Sequence, residues 1–335
     1  MKRVVVMTLV FLMAMGMVFA AGASESAAGA PTKIGISIPS ADHGWTGGIV
    51  WWANKAADDI KAEQPGKFEF RIVTADSPST QIRNVEDLEV WGMDYLVILP
   101  HESAPLTPTV KQVHSSGVRV FVVDRGLTDT SFGYVNIAGD NPALGTNSGK
   151  WLAQQMKEQG LRYYVAMGGL PVIIDTERMD AFFAEMNKEP SLVNLLGGNN
   201  YEFADWSTQK GLTLMETFLQ KYPRIDAVFC QDDDVLLGVL QAIQESGRND
   251  VKIALGGAGS KVVYKMIMDG HPLVSATATY HPSMILDGIR YATEVATGVR
   301  SDSFHNASEP ITVVIPSVLV DASNVDEYYE PESIY

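Results

Sequence analysis

The chain has 335 residues, 46% of them hydrophobic and 19% charged, the balance of a globular protein long enough for two compact domains. Its formal net charge of −15 argues against nucleic acid or an anionic membrane as partner, because phosphate binding needs a positive face. The single cysteine, Cys230, excludes an internal disulfide and any multi-cysteine metal site.

Lys2 and Arg3 precede an apolar run from Val4 to Phe19, and Val18-Phe19-Ala20 supplies small residues for cleavage. This is the pattern of a secretory signal peptide over residues 1–20, cleaved after Ala20, and it predicts export to the periplasm. The run is shorter than the ~20 residues a spanning helix needs. No cysteine stands at the cleavage site to take a lipid. Residues 21–32, AGASESAAGAPT, are small and polar, as in a flexible lead-in.

From Lys33 onward, strand-like and helix-like segments alternate with short loops. KIGISI (33–38), KFEFRIV (67–73), DYLVIL (94–99) and VRVFVV (118–123) predict strands, with helices at 45–64, 78–91 and 105–116. Asn136 to Asp140 reads as a break, and the pattern then restarts. Strands are expected at 162–167, 192–197, 226–230 and 251–255, with helices at 142–158, 175–188, 205–221 and 233–246. A strand-helix segment (273–298) and a final strand, ITVVIPSVLV (311–320), remain. Such βα units imply an α/β fold with parallel sheets covered by helices. Two consecutive sets suggest two doubly wound lobes, with the last segment crossing back between them. Cys230, in the apolar strand AVFC, reads as a buried and inert thiol.

In open α/β sheets, ligands sit beyond the carboxyl ends of the strands, and clefts between domains are favoured sites. The strand-end turns offer Asp42, His43 and Trp45; Asp124 and Arg125; Asp175, Glu177 and Arg178; Asn199 to Trp206; Gln231 to Asp234; and Tyr280 with His281. Carboxylates and arginines hold hydroxyl groups by charge-assisted hydrogen bonds, while indoles cover apolar CH faces. Asp233 and Asp234 also suit helix capping, Trp51 and Trp52 suit packing, and Arg178 is equally readable as a surface residue. His101, His114, His271, His281 and His305 show no metal-ligand spacing, and neither a metal nor a cofactor is expected. HExxH, GxSxG, Walker A and a post-strand GxGxxG are all missing, which argues against an enzyme. Gly145 to Lys150 (GTNSGK) looks like a phosphate loop, but its spacing fails and Trp151 stands where Ser or Thr is needed.

VFVVDRG (120–126), TERMDAFFAEM (176–186), ADWSTQKGL (204–212), DAVFCQDDDVLLGVLQAIQESG (226–247) and the Asn141/Gly145 segment resemble the ribose-type periplasmic sugar-binding proteins of ABC importers. The resemblance spans most of residues 33 to 320. It implies two Rossmann-like lobes joined by a three-segment hinge, closing on a monosaccharide in the interlobe cleft. The lobes would be 33–139 with 281–311, and 140–280 with 312–320, followed by a tail at 321–335. Carried over position by position, the family's ligand contacts fall on His43 and Trp45, on Asp124 and Arg125, and on Arg178 and Trp206. Its asparagine in Gln-Asn-Asp falls on Asp232, and its hinge glutamine on Tyr280. Where the family has Gly-Phe-Asp-Gly, this chain has Leu255-Gly256-Gly257-Ala258, so a ligand other than ribose is expected. The implied partners are a sugar or polyol and a membrane ABC permease, with the protein itself a monomer. A sensory receptor for a furanone or sugar signal, docking on a membrane signalling protein, would use the same closed form.

Overall fold

The computed structural model describes residues 30–335; the leader and most of the lead-in lie outside the described residues. The first lobe begins with β1 (Thr32–Pro39), α1 (Gly44–Glu63), β2 (Phe68–Ala75), α2 (Pro78–Trp91), β3 (Tyr95–Ile98), α3 (Ser103–Ser115), β4 (Arg119–Val123) and β5 (Val135–Gly139). Its ends are written in the sequence. Ser77 accepts a hydrogen bond from the Thr80 N–H at the start of α2, Pro78 opens the helix, and Gly92 closes it at φ 82°. Alternation along β3 and β4 sorts the core. Leu96, Ile98, Val120 and Val122 face α2 and α3, whereas Val97, Phe121 and Val123 join α1 on the opposite face.

The second lobe runs through α4 (Asn141–Glu158), β6 (Tyr163–Gly168), α5 (Ile173–Met186), β7 (Val193–Asn194), β8 (Glu202–Phe203), α6 (Thr208–Lys221), β9 (Ala227–Cys230), α7 (Asp233–Ser246), β10 (Ile253–Ala258), α8 (Lys261–Met268) and β11 (Ala276–Thr279). The chain then returns as α9 (Met284–Ala296), β12 (Ile311–Ile315), β13 (Leu319–Asp321) and α10 (Val325–Tyr328). One sheet has the order β12-β5-β4-β3-β1-β2 and is parallel throughout. The other has the order β13-β11-β10-β9-β6-β7, with β8 beside β6; it is parallel except for β13.

Three expectations change. Asn136 to Asp140 is not a break but most of β5, a strand whose pairing is completed by β12 from the far end of the chain. The run 311–320 is not one strand of the second lobe. Pro316 cannot donate to a ladder and divides it; Ile311–Ile315 stays in the first sheet and Leu319–Asp321 joins the second. The expected strand at 192–197 shrinks to Val193–Asn194, because the Asn194 amide donates to the carbonyls of Gly198 and Asn200 and turns the chain. The chain thus crosses between sheets at 139–141, 279–284 and 316–318.

The tail is part of this crossing. Lys261 of the second lobe donates to the carbonyls of Pro331 and Ser333. Buried Tyr335 brings its Cβ, with Pro282, against Gly48 of α1, and its ring centre lies 6.5 Å from that of His281. One apolar cluster therefore runs through both lobes, by way of Tyr280 and Tyr335.

The phosphate-loop lookalike is a packing device. A Cβ on Gly145 would lie 2.0 Å from the Arg178 carbonyl, and one on Gly149 would lie 2.6 Å from that of Phe182. Two glycines one helical turn apart thus let α4 rest directly on the backbone of α5, which carries Arg178. Helix propensity alone favours alanine over glycine by about 1 kcal/mol. Gly145→Ala should nevertheless destabilise the protein by about 1–3 kcal/mol through overpacking, read from the urea midpoint. An unchanged or higher midpoint would show that α4 and α5 do not meet this closely.

Candidate functional site

Residues from the middle crossing and from both lobes converge on one cavity with about 340 Å³ of empty volume. It is lined by His43, Trp45, Asp124, Arg125, Ile174, Arg178, Trp206, Asp232, Ala258 and Tyr280. Eight of the nine residues expected from sequence are in this set. Asp42 is not. Its side chain is 70% exposed, and Oδ1 accepts from Thr46 Oγ1 at 2.7 Å and pairs with the His43 ring at 2.6 Å. A short carboxylate placed just ahead of a helix start is satisfied locally, so Asp42 fixes the α1 entry rather than the cavity.

Asp124 follows β4 with φ 63°, a left-handed conformation that aspartate tolerates better than most residues. Its buried carboxylate accepts the Tyr280 hydroxyl at 2.6 Å through Oδ1, while Oδ2 lies 3.6 Å from Arg125 Nε. Arg125 also donates to the His101 carbonyl at 2.5 Å. Tyr280 sits on the middle crossing. Its backbone N–H donates to Ala258, and its carbonyl accepts from Trp45 Nε1 at 2.8 Å.

Arg178 is 3% exposed, which removes the surface reading. Its guanidinium lies 4.2 Å from the centre of the Tyr280 ring, Nε donates to Asn141 Oδ1 at 2.8 Å, and Nη1 reaches Gln231 Oε1 at 3.4 Å. Gln231 in turn donates to Asp175, which also accepts from the Tyr201 hydroxyl and the Gly169 N–H. Asn141, Asp175 and Gln231 therefore hold the arginine without lining the cavity themselves. Trp206 adopts φ 53° in the loop before α6, and its indole fits where a side chain on Gly169 would collide.

The three aspartates that open α7 take three roles. Asp232 caps the helix, accepting from the Asp234 N–H at 2.8 Å, and also lines the cavity. Burial, with the Asp234 and Asp233 carboxylates beside it, pushes its carboxyl well above the usual range; Arg178 opposes the shift. Asp233 faces inward and accepts from the Ser260 N–H and the Thr277 hydroxyl, tying α7 to β10 and β11. Burial raises its carboxyl to about 7. Asp234 reaches the other lobe, where a Cβ on Gly44 would lie 2.6 Å from Oδ1. Burial raises its carboxyl too, against the pull of His43 and the N–H groups of Trp45 and Gly44.

Among the described residues no group of His, Cys, Asp or Glu is arranged to hold a metal ion, and no helix is long and apolar enough to cross a membrane. Ile174 and Ala258 are the cavity residues that sequence reasoning missed; an apolar side chain announces no chemistry. Cys230 is buried in β9 and burial pushes its thiol up, as expected of an inert group.

With this geometry in hand, comparison with known proteins decides the family. Residues 34–296 match the family described as periplasmic binding protein domain. The chain is a periplasmic binding protein. Among its relatives, the ribose import binding protein of Escherichia coli is 29% identical over 244 residues, covering 72% of this chain and 79% of the relative. The galactofuranose-binding protein of the same organism is 26% identical over 271 residues, covering 77% and 81%. An ABC transporter solute binding protein from Mycobacterium smegmatis, solved with bound glycerol, superposes with a TM-score of 0.74 at 26% identity over 90% of this chain and 98% of that one. The two-lobed α/β architecture is that of the family, and its matched relatives are named for binding and import rather than for catalysis.

In this periplasmic binding protein the lobes touch through Asp234 and the first turn of α1, where unpaired N–H groups and the helix dipole favour a carboxylate. Asp234→Asn removes the charge and keeps the shape. It should weaken ligand affinity by about 0.3–1 kcal/mol with the ligand-free unfolding midpoint nearly unchanged. Calorimetry giving the same affinity for both proteins would show that the contact contributes nothing to closure.

Proposed function

We propose that the protein captures a monosaccharide or polyol between its lobes and hands it to an ABC-type permease in the membrane, without chemical change to the ligand. The observation that carries this reading is the composition of the central cavity. Asp124 and Arg125 come from one lobe, Arg178, Trp206 and Asp232 from the other, and Tyr280 from the crossing between them.

Polyhydroxylated ligands fit such a set for physical reasons. Each hydroxyl buried on closure must find a partner, since an unpaired polar group costs about 1–3 kcal/mol. Asp124 accepts from neighbouring hydroxyls and both arginines only donate, which distinguishes hydroxyl orientations. Asp232, whose carboxyl is pushed up by burial, faces the same space from the head of α7. Trp45 and Trp206 supply apolar surface for CH groups. A ligand that touches both lobes stabilises the closed form over the open one, so closure follows from occupancy. The relatives named for ribose and galactofuranose, and the one solved with glycerol, belong to this chemical class.

The test is calorimetry and small-angle scattering across pentoses, hexoses and polyols, with Asp124→Asn beside the natural protein. Asparagine keeps an acceptor for the Tyr280 hydroxyl, whereas alanine would leave that buried hydroxyl unpaired. The natural protein should bind one or more sugars and become more compact. Asp124→Asn should weaken that binding by about 10-fold or more, the scale of a charge-assisted hydrogen bond, with its fold intact. No binding across the panel, or equal affinity in the variant, would overturn the reading.

A further inference from the structure

The cleft does not end at the central cavity. Past Arg125, Ile174 and Trp206, which belong to both spaces, it widens into a groove with about 1680 Å³ of empty volume. The groove persists although the lobes already meet at Gly44 and Asp234. Its two walls differ in chemistry. The wall from the first lobe follows β3 and β4 and presents Glu102, Ser103 and Thr128. The wall from the second lobe is the loop between β6 and α5 together with the first residue of α5; here Leu170, Val172 and Ile173 are 37%, 43% and 76% exposed. A contiguous apolar stretch left in water is a mark of a binding surface. Here it is concave and opens directly onto the stacking residue Trp206.

We propose that this groove is a second subsite, and that the preferred ligand is a glycoside whose aglycone, an aryl group or a second sugar ring, projects from the central cavity through the opening beside Trp206. The sugar ring occupies the polar cavity. The aglycone lays its apolar face on Leu170 and Ile173, and any hydroxyls it carries turn toward Ser103 and Thr128. The inference rests on reading the central cavity as a sugar site and adds to it the class of sugar derivative. The groove favours a ligand substituent over a protein partner because it lies between the lobes and shares three residues with the cavity.

The experiment is calorimetry of the full mature protein with D-ribose, L-arabinose, D-galactose and D-glucose, each beside its phenyl β-glycoside. At least one phenyl glycoside should bind roughly 10-fold or more tightly than its free sugar, the scale of burying one apolar ring face. In the double variant Leu170→Ser/Ile173→Ser that advantage should fall to about 2-fold, with affinity for the free sugar unchanged. Both substituted residues are exposed, and an unchanged unfolding midpoint verifies the fold. If free sugars bind and no glycoside binds more tightly, the subsite is overturned while the sugar site stands. The subsite is equally overturned if the double variant keeps the glycoside advantage but loses permease-dependent uptake, since the lip would then face the permease. Binding of neither free sugar nor glycoside overturns both readings.

Discussion

Tyr280 is the residue on which the arrangement depends. Its hydroxyl donates to Asp124 of the first lobe, and its ring lies under Arg178 of the second. Its carbonyl accepts from Trp45 and its N–H donates to Ala258. Four contacts on one crossing residue place a carboxylate, a guanidinium and an indole around a common space. Burial raises the phenol well above its ordinary range, so it remains a donor to Asp124 throughout the physiological range. Gly139 is part of the same arrangement, for a Cβ there would lie 2.2 Å from the Tyr280 ring.

Around this residue the backbone is bent where the chemistry is. All four non-glycine residues with positive φ among the described residues lie in or next to the cavity: Asp124, Asp205, Trp206 and Ala258. Such conformations cost of order 1–3 kcal/mol each and are held by surrounding bonds, as when the Asp124 N–H donates to Ile137. The charges are balanced in the same local way. Three consecutive aspartates at the head of α7 would repel one another if all were ionised in a dry site. One meets the cavity and Arg178, one is fixed by Ser260 and Thr277, and one crosses to α1. Fold and site thus share parts: α4 lies close enough to α5 to position Arg178 only because Gly145 has no side chain.

Much of this was legible in the sequence, and the exceptions have physical causes. Buried parallel strands such as Ile34-Ile36-Ile38 and Val120 to Val123 announce themselves by continuous apolar runs. A strand-end carboxylate next to an arginine, as at Asp124-Arg125, or an aromatic after a polar turn, as at Trp206, points to a ligand in this kind of sheet. The strand Val135–Gly139 was illegible because its length and polarity are ordinary and its partner β12 lies far along the chain. Asp42 lies outside the cavity, and a carboxylate that braces a helix entry through Thr46 and His43 looks the same in sequence as one that meets a ligand. Asn141 and Gln231 stood in the stretches singled out from the sequence, but their role was not legible because they act through Arg178, a relation visible only in three dimensions.

The central claim is that one ligand engages both lobes at once. Hydrogen exchange followed by mass spectrometry tests it directly, with the sugar that gives the largest thermal shift among pentoses, hexoses and polyols. The account predicts that amides at the start of α1 (Gly44 to Gly48), around Trp206 and at Asp232 to Asp234 gain protection together, with the same dependence on ligand concentration. Protection confined to one lobe, or gained only away from these segments, would contradict it.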